Sequence, residues 1–162
     1  MMNKAIFLDR DGVINHPKKY YYVYRVEDFI MNKGIVEALQ YFQERDYLLF
    51  VITNQGGISK GKYTCADVDK VNARMEEEFS RYGITLSAIY YCPHHTDKEN
   101  CLCRKPKPLM IEKAMAQFDI DPEKSWFIGD KKTDIEAGRS AGVNTLKIRR
   151  NQDLRKFLGE IS

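Results

Sequence analysis

A chain of 162 residues, 43% of them apolar, fits one domain that buries roughly two-thirds of the surface its unfolded form exposes, and a second core is not expected. Lysine and arginine number 26 against 23 aspartate and glutamate, a net of +3, so gross charge excludes a nucleic-acid footprint while leaving room for a small anionic partner. The N-terminal MMNKAIFLDRDG lacks the apolar stretch of a signal peptide, and no segment reaches the roughly 20 apolar residues of a membrane span, so the expectation is a cytoplasmic protein, without a membrane partner and with no need to be more than a monomer.

The first predicted element is a strand, Ala5 to Leu8, whose apolar run suits burial on both faces and delivers Asp9 and Asp11 to the point where it stops. Ligands of open α/β sheets bind outside the carboxyl ends of the strands. Two carboxylates there can share a divalent cation, or divide into a metal-held nucleophile and an acid/base. Ile35, Leu39 and Phe42 then recur at helical spacing. A second strand, Tyr47 to Thr53, ends in Thr53, Asn54 and Gln55 before a glycine-rich turn, offering a hydroxyl, amides and free backbone N–H groups to phosphate oxygens. Thr64 can cap a helix whose Val68, Val71, Met75 and Phe79 form one stripe before Gly83.

A third strand, Ser87 to Tyr91, leads into CPHHTDKENCLCRKPKP. In a reducing compartment the four cysteines read as thiols or metal ligands, with Cys65 apart from the rest and structural. Cys92 with His94, and Cys101 with Cys103, are CxH and CxC pairs whose members point the same way in extended chain, so each pair can grip one ion from one side. Four such soft ligands suit a closed, structural tetrahedral zinc, with His95 the alternative imidazole to His94. Anchoring Cys103 would also anchor Arg104 and Lys105, holding positive charge where a transferring phosphoryl group needs it.

After Pro108, Met110, Ile111, Ala114 and Phe118 form another helical stripe. A fourth strand, Ser125 to Ile128, runs to Gly129 and Asp130, and Asp134 follows within one helical turn, placed to complete a metal site or merely to cap the next helix. That helix, Ile135 to Ala141, is closed by Gly142, and a strand over Val143 to Ile148 and a short helix over Asp153 to Leu158 end the chain. Alternating strands and helices predict an α/β fold, a Rossmann-like doubly wound parallel sheet of about five strands with right-handed crossovers, spanning 1–162 as one domain with a zinc loop over 92–107.

Taken together, LDRDG, VITNQ, RKP and GDKKTD resemble, in order and over nearly the whole chain, the four motifs of the haloacid dehalogenase superfamily. The CxH and CxC loop, with TNQGGISKGKYT, is similar to the capless subgroup of D-glycero-D-manno-heptose-1,7-bisphosphate 7-phosphatases and related histidinol-phosphate phosphatases, and the GIxxGxxT run from Gly57 to Thr64 favours the former. The resemblance implies a Mg²⁺-dependent phosphatase acting on a small phosphorylated sugar. Asp9 would be the nucleophile that becomes an aspartyl-phosphate, and Asp11 the acid and then the base. Mg²⁺ would sit on Asp9, Asp130 and the backbone carbonyl of Asp11, supported by Asp134. Thr53 and Lys105 would stabilise the phosphoryl group. Arg10, Asp11, Tyr20, Thr53, Asn54, Gln55, Arg104, Lys105 and Lys131 make up the expected substrate-binding set. Tyr21, Tyr22 and Tyr24 could stack on a sugar or pack against the domain, and packing is the reading preferred. Two other classes stay open: a phosphoacceptor switch, which the acid/base Asp11 argues against, and a zinc-organised binding module without activity.

Overall fold

The structure, a computed structural model, describes residues 1–17 and 22–161. Five parallel strands run β1 Lys4–Leu8, β2 Tyr47–Asn54, β3 Ala88–Cys92, β4 Trp126–Gly129 and β5 Asn144–Lys147, in the spatial order β3-β2-β1-β4-β5. Four helices lie between them: α1 Ile35–Glu44, α2 Cys65–Ser80, α3 Leu109–Phe118 and α4 Lys132–Ser140.

The side-chain period of two divides the central strands between two cores. Ile6 and Leu8 of β1, with Leu49 and Val51 of β2, face α1 and α2, whereas Ala5 and Phe7, with Phe50 and Ile52, face α3 and α4. Phe7 and Phe50 stack across the strand pair with ring centroids 5.1 Å apart. Full burial of each such apolar side chain contributes on the order of 2 kcal/mol, which makes β1 the rigid axis of the molecule. Thr64 caps α2 as its sequence suggests: its side chain accepts from Asp67 N while Asp67 accepts from Thr64 N.

One element differs in type. The segment expected as a final helix over Asp153 to Leu158 is a 3-10 helix, Leu154–Glu160, started by Asp153, whose side chain accepts from Arg155 N. Leu154 is the one buried residue of that segment, so its pattern lacks the apolar stripe that holds a longer α-helix down. Among the described residues no helix is long and apolar enough to cross a membrane.

The strand order reverses between β1 and β4, because the chain builds outward through β2 and β3 before returning to the other side of β1. A crevice opens at the carboxyl ends of these strands.

Candidate active site

Asp9 follows β1, and its N–H still bonds Ile128 O of β4 at 3.2 Å, so the sheet itself fixes its backbone. The chain then turns sharply, with the amides of Val13, Ile14 and Asn15 all converging on Arg10 O and Gly12 at φ +94°. A side chain at Gly12 would be strained at that φ, and its Cβ would lie 2.5 Å from Asp130 Oδ2. Only glycine lets the two loops close this tightly.

Carboxylate oxygens of Asp9, Asp130 and Asp134 lie within 4.8 Å of one another. Lys105 Nζ enters this cluster, 3.0 Å from Asp9 Oδ1 and 2.7 Å from Asp134 Oδ1, and donates to Ile52 O at 2.8 Å. Three acids against one cation leave excess negative charge in a buried place. Burial, and then the neighbouring Asp134, push Asp9 up to about 7, while burial and Asp134 also raise Asp130. Burial works against the charge of Lys105, but Asp134 and Asp9 more than offset it, and the ammonium is held above its ordinary range. Asp130 Oδ1 is buried, and no donor among the described residues reaches it. An all-oxygen set with a surplus of negative charge and an unsatisfied buried oxygen fits a hard divalent cation such as Mg²⁺. Asp134 stands among these carboxylates and also caps the next helix, because its Oδ2 accepts from Lys131 N at the start of α4.

Asp11 stands apart from this cluster. Its carboxylate accepts from Arg10 Nε and Nη2 at 3.3 and 3.2 Å, Asn15 Nδ2 at 2.9 Å and Gln55 Nε2 at 3.1 Å. Burial pushes its pKa up, but the Arg10 charge and these hydrogen bonds outweigh it and hold the carboxyl below the ordinary range. The metal ligand expected from Asp11 is its backbone carbonyl, which does not depend on the carboxylate committed here.

Two members of the expected substrate-binding set have their side chains held by partners within the protein. Arg10 is fully buried, with Nη1 on Asn72 Oδ1 and Nη2 on Val23 O as well as Asp11, so its guanidinium holds the Asp11 carboxylate and has no face toward a ligand. Gln55 is likewise committed: Nε2 donates to Asp11 and to Thr53 Oγ1 at 3.0 Å, and Oε1 accepts from Tyr63 at 2.7 Å. Both side chains hold the Asp11 carboxylate.

Cys92, His94, Cys101 and Cys103 come together, and His95 does not join them. Cys92 Sγ lies 3.1 Å from Cys103 Sγ, 3.6 Å from Cys101 Sγ and 3.4 Å from His94 Nδ1. Four mutually close soft ligands, one from the end of β3 and three from the loop after it, fit one zinc, whose Zn–S bonds of about 2.3 Å separate tetrahedral sulfurs by roughly 3.8 Å. The loop is tied to the site at two further points. Asn54 clamps the Lys105 backbone, accepting from its N at 3.0 Å and donating to its O at 3.2 Å, and Arg104 Nη1 donates to His94 O at 2.9 Å.

Above the carboxylates a small recess is lined by Asp9, Asp11, Thr53, Lys105, Lys131 and Asp134. It opens into a cavity of about 430 Å³ whose wall includes Arg104, Lys131, Thr133, Arg150 and Tyr22. Tyr24 packs instead, stacked on Tyr63 at 5.2 Å. Tyr20, expected at the substrate, and Tyr21 lie outside the described residues. Sequence reasoning missed Asn15, Tyr63, Asn72 and Arg150, since lone polar residues without a motif give no signal of the partner they will meet; position 63 is an open place in GIxxGxxT.

Residues 102–158 match a family model described as HAD-hydrolase-like. The chain is 49% identical over 146 residues to the D-glycero-alpha-D-manno-heptose-1,7-bisphosphate 7-phosphatase of Campylobacter jejuni, covering 90% of this chain and 82% of that one. It is 46% identical over 142 residues to the D-glycero-beta-D-manno-heptose-1,7-bisphosphate 7-phosphatase of Helicobacter pylori strain 26695, covering 87% and 80%. Among solved structures, a D,D-heptose 1,7-bisphosphate phosphatase from B. bronchiseptica, complexed with magnesium and phosphate, superposes with a TM-score of 0.84 at 29% identity, covering 97% of this chain and 86% of that one.

Proposed function

The chain belongs to the D-glycero-D-manno-heptose-1,7-bisphosphate 7-phosphatase family of the haloacid dehalogenase superfamily, and from that membership together with the site geometry we propose that it hydrolyses the 7-phosphate of a heptose 1,7-bisphosphate through Asp9. The observation that carries the reading is the meeting of Asp9, Asp130, Asp134 and Lys105 at the strand ends, with Asp11 held separately beside them.

Attack by a carboxylate on a phosphate dianion is opposed by charge. Lys105 is placed to offset that repulsion, and Thr53, in the same recess, to hydrogen-bond the phosphoryl oxygens. Bound at Asp9, Asp130 and the backbone carbonyl of Asp11, with Asp134 in support, Mg²⁺ would supply further charge neutralisation. In the first step Asp9 oxygen bonds to phosphorus as the bond to the sugar oxygen breaks, and Asp11 gives that oxygen a proton. Substrate charge arriving beside Asp11 raises its proton affinity, which suits this role despite its low resting pKa. In the second step Asp11 takes a proton from water, the water oxygen bonds to phosphorus, and the acyl-phosphate bond to Asp9 breaks.

Arg104, Lys131 and Arg150, with Lys105 at the floor, put four cations around the cavity above, and Asn54 lines the same wall. Of the residues lining that cavity Asp11 is the sole acid. Such a mouth suits a substrate with a second phosphate at its far end and disfavours histidinol phosphate, whose far end carries an amine. The zinc site is structural in this reading, holding Arg104 and Lys105 in place. Purified protein with Mg²⁺ should turn over heptose 1,7-bisphosphate with a kcat/KM at least about 100-fold above that for histidinol phosphate, a gap of roughly 2.7 kcal/mol. The reverse preference would overturn the substrate assignment.

A further inference from the structure

Tyr63 lies between β2 and α2, one residue before the Thr64 cap, and is buried. Its ring is fixed on three sides. Tyr24 stacks on it at 5.2 Å and 6°, Tyr22 meets it edge-on at 5.4 Å, and Gly57 lies so close that a Cβ there would overlap Cε1 and come within 2.8 Å of Cζ. The second glycine of NQGG is thus explained by room for this ring.

Held in this way, the hydroxyl stands 2.7 Å from Gln55 Oε1. Which end of a glutamine amide faces which neighbour is decided by its partners. An ionised carboxylate can only accept, so the NH₂ end of Gln55 must face Asp11, 3.1 Å away, and the carbonyl end must then face Tyr63 as the acceptor of its proton. Burial raises the pKa of the hydroxyl far above its ordinary value, so this donor keeps its proton. Without the hydroxyl, Gln55 Oε1 would be buried with no donor, and the amide orientation that serves Asp11 and Thr53 together would be held from the Asp11 side alone.

We propose that Tyr63 is a positioning residue that acts through Gln55, fixing the amide so that the Asp11 carboxylate stays in place for proton transfer. The proposal rests on the phosphatase reading. It predicts an effect that is largest in steps in which Asp11 moves a proton, and it predicts that the effect vanishes when Gln55 is gone.

Rapid-quench kinetics on the wild type, Tyr63→Phe, Gln55→Ala and the double variant test both points, because phenylalanine keeps the stacking ring. With an alkyl phosphate, whose leaving oxygen needs a proton, Tyr63→Phe should slow phosphorylation by about three- to tenfold, the range of one lost neutral hydrogen bond. With p-nitrophenyl phosphate, whose leaving group departs unprotonated, the burst should stay within about twofold. In the Gln55→Ala background the Tyr63→Phe loss should disappear. Equal losses for both substrates, or the same Tyr63→Phe cost with and without Gln55, would overturn the proposal in favour of simple packing. Gln55→Ala alone must show the same dependence on leaving group, and if it does not the proposal fails whether or not Tyr63→Phe is stable. A wild type that turns over neither substrate with Mg²⁺ would instead sink the phosphatase reading.

Discussion

Asp9, Thr53 and Asp130 stand at or just past the ends of three adjacent strands, their backbones tied into the ladders of a sheet buried on both faces. Lys105, which completes the same cluster, arrives differently: residues 93–107 contain no strand or helix, and what holds them is the Cys92, His94, Cys101 and Cys103 group, the Asn54 clamp and the Arg104 bond to His94 O. One half of the site is as rigid as the core, and the other is only as rigid as a loop tied by four side chains and a few hydrogen bonds. Damage to the two halves should therefore look different.

The largest expected effect lies in the sheet-borne half. Asp9→Asn should reduce turnover by at least about 10⁴-fold, because the proposed covalent intermediate forms on its carboxylate. Without metal it should not lower Tm, since one charge leaves an overcrowded trio of carboxylates. A variant retaining a tenth of the activity would remove Asp9 from the centre of the chemistry.

Lys105→Met joins the halves. Loss of the cation should cost about 10²- to 10³-fold in kcat. It also takes from Asp9 and Asp134 the cation paired with them in a buried site, a penalty of about 3–5 kcal/mol that corresponds to a fall in Tm of roughly 10 °C in a chain of this size. Catalytic loss with an unchanged melt would mean that Lys105 screens phosphate without bracing the carboxylates.

The loop-borne half is tested by its ligands. Elemental analysis should find about one zinc per chain. A strong chelator followed by Mg²⁺ alone should leave activity depressed by about tenfold or more, as Lys105 and Arg104 lose their anchor, while the sheet still melts cooperatively. Full recovery with Mg²⁺ alone would show that Asn54 suffices to place Lys105.

The same division governs what the sequence discloses. A strand buried on both faces must be an apolar run, and whatever polar residue follows it must emerge at its end, so Asp9, Thr53 and Asp130 are legible from hydropathy and order alone. The CxH and CxC spacing is legible because metal ligands need a fixed reach. Contacts between side chains far apart in sequence are not. Arg10 sits beside Asp11 in a motif of polar residues, and nothing local says that Asn72 of α2 and Val23 O draw its guanidinium inward. Gln55 follows the same rule, since its commitment depends on a tyrosine eight residues on.

The smallest expected effect is one of stability, and it separates the halves by pH. Burial and Asp134 raise Asp9 to about 7, and Asp130 moves the same way. A carboxyl whose folded pKa is raised contributes stability that is complete below its ordinary value near 3.8 and is lost as pH climbs through about 7, so the metal-free protein should melt lower at pH 8 than at pH 5. Asp11 runs the other way, but its gain is already complete above its ordinary value, so it does not tilt this window. Mg²⁺ needs the ionised carboxylates and competes with protons for them. At roughly 100 times its Kd it should add about 2.7 kcal/mol, a rise in Tm of roughly 5–10 °C, at pH 8, and far less at pH 5. Zinc-loop variants should keep this pH dependence, because Asp9 and Asp130 are placed by the sheet, whereas Asp130→Asn should remove most of the Mg²⁺ shift and leave the metal-free pH dependence that Asp9 carries. An equal Mg²⁺ shift at both pH values, followed by differential scanning calorimetry, would place the ion away from these carboxylates.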